Sequence, residues 1–118
     1  MLTLDRKTYC WDLDGTLCTN RKEGESYADV TPIFKTCELL TKLYHMGHKI
    51  IISTARGMWS CDGNMGRINK EIAPLTIEWL DRWNIPYHEI YFCKPGADFY
   101  IDDKAINVNT EDLEKRLV

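Results

Sequence analysis

The sequence predicts a single α/β domain built on a mostly parallel sheet, and three observations carry that expectation. Short apolar or β-prone runs alternate along the chain with stretches of helical period, the order that produces parallel strands with right-handed crossovers. Lys49-Ile50-Ile51-Ile52-Ser53 is a continuous apolar run, the pattern of a strand buried on both faces of a parallel sheet. The residues suited to chemistry fall just after predicted strands, at the edge where such sheets gather their ligands.

Thr8-Tyr9-Cys10-Trp11 is the first predicted strand, ending abruptly at Asp12, with Gly15 as a breaker. The polar stretch from Cys18 to Asp29 has no period and reads as a loop or small flap. Thr31-Pro32 has the form of an N-cap followed by Pro at the first helical position. Ile33, Cys37, Leu40 and Tyr44 then recur at helical spacing, Leu39, Leu43 and Met46 widen the apolar face, and Gly47 is the stop. After the isoleucine strand comes a Gly- and Asn-rich loop from Ala55 to about Gly66. A second helix is expected through Leu75, Trp79, Leu80 and Trp83, with Pro74 as its start or a kink. Glu89–Phe92 and Phe99–Ile101 are the third and fourth predicted strands, and Asn109–Val118 a short capped helix.

With 118 residues, one domain spanning 1–118 is expected, burying roughly two thirds of its surface. An apolar fraction of 44% supports a core, and a net charge of -3 gives no electrostatic footprint for nucleic acid or an anionic membrane. No window nears the roughly 18 unbroken apolar residues of a membrane span, and Met1–Lys7 is charged too early for a signal peptide. A cytoplasmic protein is expected. The five cysteines are an odd set without a CxxC pair, which indicates neither a disulfide framework nor a zinc site. Cys10 and Cys93, in apolar runs, read as buried inert thiols. His45, His48 and His88 have no ligand spacing, and Trp79 with Trp83 reads as core.

Asp12 and Asp14 lie one residue apart just past a buried strand, so their mutual repulsion needs a counter-charge. A divalent cation supplies it, and Mg²⁺ takes oxygen ligands together with substrate phosphate. Asp102-Asp103, after another predicted strand, offers further carboxylates. Asp12 is placed to attack phosphorus and form an aspartyl-phosphate. Asp14 is placed to protonate the leaving oxygen and then to deprotonate the attacking water. Lys94 and the Thr54 hydroxyl suit the equatorial oxygens, with Ser53 as the rival hydroxyl, since a one-residue slip exchanges their faces. Backbone N–H groups around Gly15 and Thr16 would assist. Arg56, Trp59, Asn64 and Arg67, in the long loop, are candidates for contact with substrate.

Asp12-Leu13-Asp14-Gly15-Thr16-Leu17 resembles the DxDGT[LV] loop of the haloacid dehalogenase superfamily of phosphatases. Thr54-Ala55-Arg56 resembles the second motif of that superfamily, Lys94-Pro95 the third and Asp102-Asp103 the fourth, in family order. The resemblance implies a Rossmann-like three-layer fold with a mostly parallel central sheet. It implies Asp12 as nucleophile, Asp14 as acid/base, and Mg²⁺ held by Asp12, the Asp14 carbonyl and Asp102, with Asp103 in support. The flap after the first strand is short, and one loop, one helix and one strand fill the interval from Thr54 to Lys94, so no cap domain is expected. The longer pattern, including Thr54-Ala55-Arg56-Gly57-Met58, Gly63-Asn64-Met65-Gly66, Ile85-Pro86-Tyr87 and Tyr100–Ile106, resembles short phosphatases encoded with capsular polysaccharide biosynthesis genes. It departs at Ala55, where many relatives have Gly.

The expected activity is therefore Mg²⁺-dependent hydrolysis of small phosphate monoesters, sugar phosphates first and nucleotide or nucleic-acid ends as the alternative. A receiver-like signalling domain shares the acids, Thr and Lys but carries its paired acids on the first strand and its phosphorylated Asp on a middle one. A non-catalytic binding module leaves the intact set Asp12, Asp14, Lys94 and Asp102 without a purpose.

Overall fold

The computed structural model describes residues 5–118; of the charged N-terminal segment, Met1–Leu4 lies outside the described residues. Three parallel strands form the sheet, β1 (Thr8–Trp11), β2 (Lys49–Ser53) and β3 (Glu89–Tyr91), with β2 in the middle. Trp11 pairs with Ile52, and Ile52 with Ile90. Around the sheet run α1 (Phe34–His45), α2 (Met65–Glu71), α3 (Ala73–Arg82) and α4 (Leu113–Leu117). Both crossovers pass through helices, α1 between β1 and β2, α2 and α3 between β2 and β3, as parallel pairing requires.

One face of the sheet carries the core. Trp11, Ile50 and Ile52 are buried there against Leu40 and Leu43 of α1, Trp79 and Leu80 of α3 and Leu113 of α4. Each such side chain contributes about 1.5–3 kcal/mol on burial. A second cluster joins Ile68 of α2 to Ile72, Phe92 and Cys61. The opposite face, made by Thr8, Cys10, Lys49, Ile51, Ser53, Glu89 and Tyr91, has no buried residue. The isoleucine run is thus covered on one side only, and the expected three layers are two among the described residues. The reason is alternation: Lys49, Ile51 and Ser53 share the open face, and only one of the three is apolar.

The fourth strand does not form. Phe99 and Ile101 are 84% and 99% exposed, and the segment joins no ladder. Three apolar residues between Asp98 and Asp102 have β-propensity, but that propensity reflects packing against neighbours, and here none is supplied. Thr31 and Pro32 likewise do not open α1. They pair back onto the flap, Thr31 N–H donating to Thr19 Oγ1 at 3.0 Å and Ile33 N–H to the Leu17 carbonyl at 2.8 Å, and the cap position falls on Ile33. In the supposed loop, Asn64 caps α2 by accepting from Arg67 N–H at 3.1 Å. Trp79 is core, its Nε1 donating to the Val30 carbonyl at 2.8 Å, but Trp83 is 41% exposed beside Phe34. His48 and His88 are satisfied, their Nδ1 atoms accepting from Lys7 N–H and Ile50 N–H. Among the described residues no helix is long and apolar enough to cross a membrane.

Cys10 and Cys93 are exposed, against expectation, because Cys10 lies on the open face and Cys93 follows the end of β3. Cys18, Cys37 and Cys61 are buried. Burial, assisted by the nearby Asp14 carboxylate, pushes the Cys18 thiol up to about 12, and burial pushes Cys37 up to about 11. Alkylation of native protein at pH 8 is therefore expected to modify Cys10 and Cys93 and spare the other three, which the reagent cannot reach. Peptide mass spectrometry checks this; early modification of Cys18 contradicts the packing around it.

Candidate active site

The end of β1 is fixed by a tight turn. Leu13 and Leu17 are fully buried, and the Leu13 carbonyl accepts from the N–H groups of Thr16, Leu17 and Cys18 at 3.1, 2.8 and 3.2 Å. Gly15, at φ 81°, closes the turn by donating to the Cys18 carbonyl at 2.8 Å, the left-handed conformation its place after the acid pair called for. With Leu13 anchored inward, Asp12 and Asp14 stay partly exposed on either side of it. The same bonds correct one expectation. The N–H groups of Gly15 and Thr16 are spent inside the turn and are not presented to a ligand.

Asp14 faces Arg56. Arg56 Nε donates to Asp14 Oδ2 at 2.9 Å and Nη2 to Oδ1 at 2.8 Å, a bidentate, charge-assisted pair. The Arg56 side chain has no exposure and that of Asp14 26%. The rest of the guanidinium is also engaged: Nη1 donates to Thr76 Oγ1 on α3 at 3.0 Å, and Cys18 Sγ lies 3.5 Å from Nη2. Its carbon sits 4.1 Å from the ring centre of Tyr27, in the 3-10 turn Tyr27–Asp29 of the flap. Arg56 was expected to touch substrate. It is buried instead, and ties the end of β2 to the β1 turn, the flap and α3. Its place three residues past a strand end, in a chain whose paired acids need a positive partner, was the only signal of this in the sequence.

Asp12 faces Lys94. Their Oδ1 and Nζ atoms are 3.5 Å apart, with side-chain exposures of 41% and 23%. Lys94 follows β3, and its N–H donates to the Thr54 carbonyl at 3.3 Å, which holds the two loops together. Between Ser53 and Thr54, it is Thr54 that turns inward: it is 1% exposed and its Oγ1 accepts from Arg56 N–H at 3.2 Å, whereas Ser53 lies on the open face. The hydroxyl in place thus shapes the Arg56 loop. Asn64 is engaged as the α2 cap, and Arg67 pairs with Glu71 at 3.1 Å.

Three strand ends therefore meet, and the fourth does not. Asp102 and Asp103 lie in an exposed loop, where Asp102 Oδ1 accepts from Lys104 N–H at 2.7 Å. That backbone bond, with a hydrogen bond to the Asp103 side chain, holds the Asp102 carboxyl below the usual range. Among the described residues no group of three or more His, Cys, Asp and Glu side chains is gathered closely enough to hold a metal ion. The expected ligand set of Asp12, Asp14, Asp102 and Asp103 is not assembled, because the strand meant to deliver the last two is absent. Two grooves, of about 400 and 350 Å³, indent the surface, but neither is lined by Asp12, Asp14 or Lys94. Asp12, Asp14 and Lys94 are each partly exposed.

Over this architecture the chain is similar to the crystal structure of a structural-genomics target from Vibrio cholerae, with 40% identity, a TM-score of 0.81 and 92% of each chain covered. The chain belongs to the family of that protein. No family model and no curated protein matches it. The shared fold extends to nearly the whole of both chains.

Proposed function

We propose that the protein is a phosphoric monoester hydrolase of the haloacid dehalogenase type, without a cap domain, acting on small phosphorylated substrates with sugar phosphates as the expected class. One observation carries the reading. Two carboxylates flank a fully buried leucine at a parallel strand end, Asp12 within 3.5 Å of Lys94 and Asp14 with both oxygens fixed by Arg56. An exposed nucleophile beside a cation and a rigidly oriented neighbour is what stepwise phosphoryl transfer needs.

In the first step an Asp12 oxygen attacks phosphorus and the bond from phosphorus to the leaving oxygen breaks. Asp14 gives that oxygen a proton. In the second, water attacks the aspartyl-phosphate as Asp14 takes a proton back, the bond to Asp12 breaks and inorganic phosphate leaves. Lys94 stays beside Asp12 and offsets charge on the phosphoryl oxygens. For Asp14 to deliver its proton, one of its oxygens must turn from Arg56 toward the leaving group; the other bond keeps the side chain in place.

Mg²⁺ is the expected cofactor, and the donors fit its chemistry: hard carboxylate oxygens, with one or two carboxylates sufficing when substrate phosphate completes the shell. Asp12 and the Asp14 carbonyl would hold it. Bound, it supplies neutralisation of phosphoryl charge. A cytoplasmic setting belongs to the proposal and is supported by five free thiols.

The reading is tested by phosphate release across sugar phosphates, nucleotides and end-phosphorylated oligonucleotides. Release is expected with Mg²⁺ and is expected to be lost in EDTA and restored by added Mg²⁺. Equal turnover in metal-free protein refutes the cofactor; no release from any ester refutes the activity.

A further inference from the structure

Trp59 is 77% exposed, yet its indole is seated against the backbone. A Cβ added at Gly96 would stand 2.5 Å from Trp59 Nε1 and 2.7 Å from Cε2, closer than any side chain permits. Position 96 must therefore be glycine for the indole to lie where it does. Gly96 is two residues past Lys94, the lysine that reaches Asp12. On the same turn the Tyr100 hydroxyl donates to the Pro95 carbonyl, and the Tyr100 ring centre is 4.5 Å from Lys94 Nζ. Two large aromatic side chains, one 77% and one 50% exposed, thus brace the turn that carries the lysine of the site. Phe34 and Trp83, also exposed, pack against each other at 6.0 Å; Trp59 keeps most of its surface open to water.

Asp12 is 41% exposed, and the Tyr100 ring beside Lys94 and the Trp59 indole against Gly96 border the turn that carries the lysine. We propose that Trp59, with Tyr100 beside it, is the platform for the leaving group, stacking a flat ring while Asp12 and Lys94 take the phosphoryl group. The substrate class is a phosphate monoester whose leaving group presents a ring face, either the C–H face of a sugar or the π-face of a base. The inference rests on the phosphohydrolase reading and adds to it what the open site selects. Stacking suits the position because an aromatic face offers apolar contact without needing a pocket.

Two measurements decide it. In ¹⁵N-labelled protein the indole N–H of Trp59, assigned by its loss in Trp59→Phe, is followed during titration with a methyl pyranoside, a nucleoside or glycerol. The ring compounds are expected to shift it and glycerol is not; the stronger of the two names the source of the ring. In parallel, kcat/KM is measured for a pyranose phosphate, a nucleoside monophosphate and glycerol phosphate. The ratio of ring-bearing to glycerol substrate is expected to fall about five- to tenfold in Trp59→Leu, which keeps apolar bulk without a flat face, and to be largely kept in Trp59→Phe. If no ring compound moves the indole resonance, or the ratio is the same in Trp59→Leu as in wild type, Trp59 only braces the Lys94 turn and the proposal is overturned. Failure of every ester to release phosphate would count against the hydrolase reading instead, and the indole titration would still decide the platform.

Discussion

Asp12→Asn is expected to lower phosphate release by on the order of 10⁴-fold or more while leaving the fold as stable as before. An amide has neither the charge nor the nucleophilicity to attack phosphorus, and no other carboxylate is placed to take over, since both oxygens of Asp14 are held by Arg56. Stability is a separate matter. The Asp12 side chain is 41% exposed and its ion pair with Lys94 spans 3.5 Å, a partly hydrated contact of the kind worth about 0–1 kcal/mol. Losing it also relieves repulsion from Asp14. Phosphate release and urea unfolding on the same preparation check both halves. Turnover near the wild-type rate removes Asp12 as nucleophile; a drop in turnover accompanied by a large loss of stability would mean that the residue acts through the fold.

What the sequence could and could not convey follows from where the information lies. β1, β2 and α1 were legible because each is written in a local pattern: a β-prone run ended by Asp12, an isoleucine run, an apolar stripe of helical period closed by Gly47. The approach of Lys94 to Asp12 was legible too, since a parallel sheet delivers the ends of its strands to one edge. Phe99–Ile101 has the same local pattern as a strand, but a strand also needs a partner, and pairing is a property of the rest of the chain. The absence of that strand leaves Asp102 and Asp103 apart from the other acids. Burial on one face rather than both was written in β2 itself, since Lys49 and Ser53 share a face with Ile51, but the unbroken isoleucine run masked that alternation. Thr31 looked like a cap, yet it pairs with Thr19 in the flap, its N–H donating to the Thr19 hydroxyl and its carbonyl accepting from the Thr19 N–H. Arg56 was noticed for its position and assigned to substrate, because whether a long side chain turns in or out is decided by its partners. Here these are Asp14, Thr76 and Tyr27, from three other segments of the chain.

That buried arginine makes Asp14 the most informative position to change. Asp14→Asn is expected to slow turnover by about 10²–10⁴-fold through loss of proton transfer, with phosphorylated Asp12 accumulating from an activated substrate whose leaving group departs unprotonated. The same change strands a guanidinium with no solvent exposure, so it is also expected to cost about 3 kcal/mol of stability. Arg56→Met should cost less, about 1–2 kcal/mol, because the carboxylate it strands is 26% exposed and can be hydrated, and the methionine fills part of the space. The two single changes remove the same pair, so the double variant should fall short of their sum by more than about 1 kcal/mol. Urea unfolding of the four proteins gives this coupling, and acid-quenched mass spectrometry gives the phosphoenzyme. Strictly additive losses would show that the pair contributes nothing as a pair, and that Asp14 is held by its turn alone. Arg56→Met that turns over as fast as wild type would show that the chemistry does not depend on the orientation Arg56 imposes.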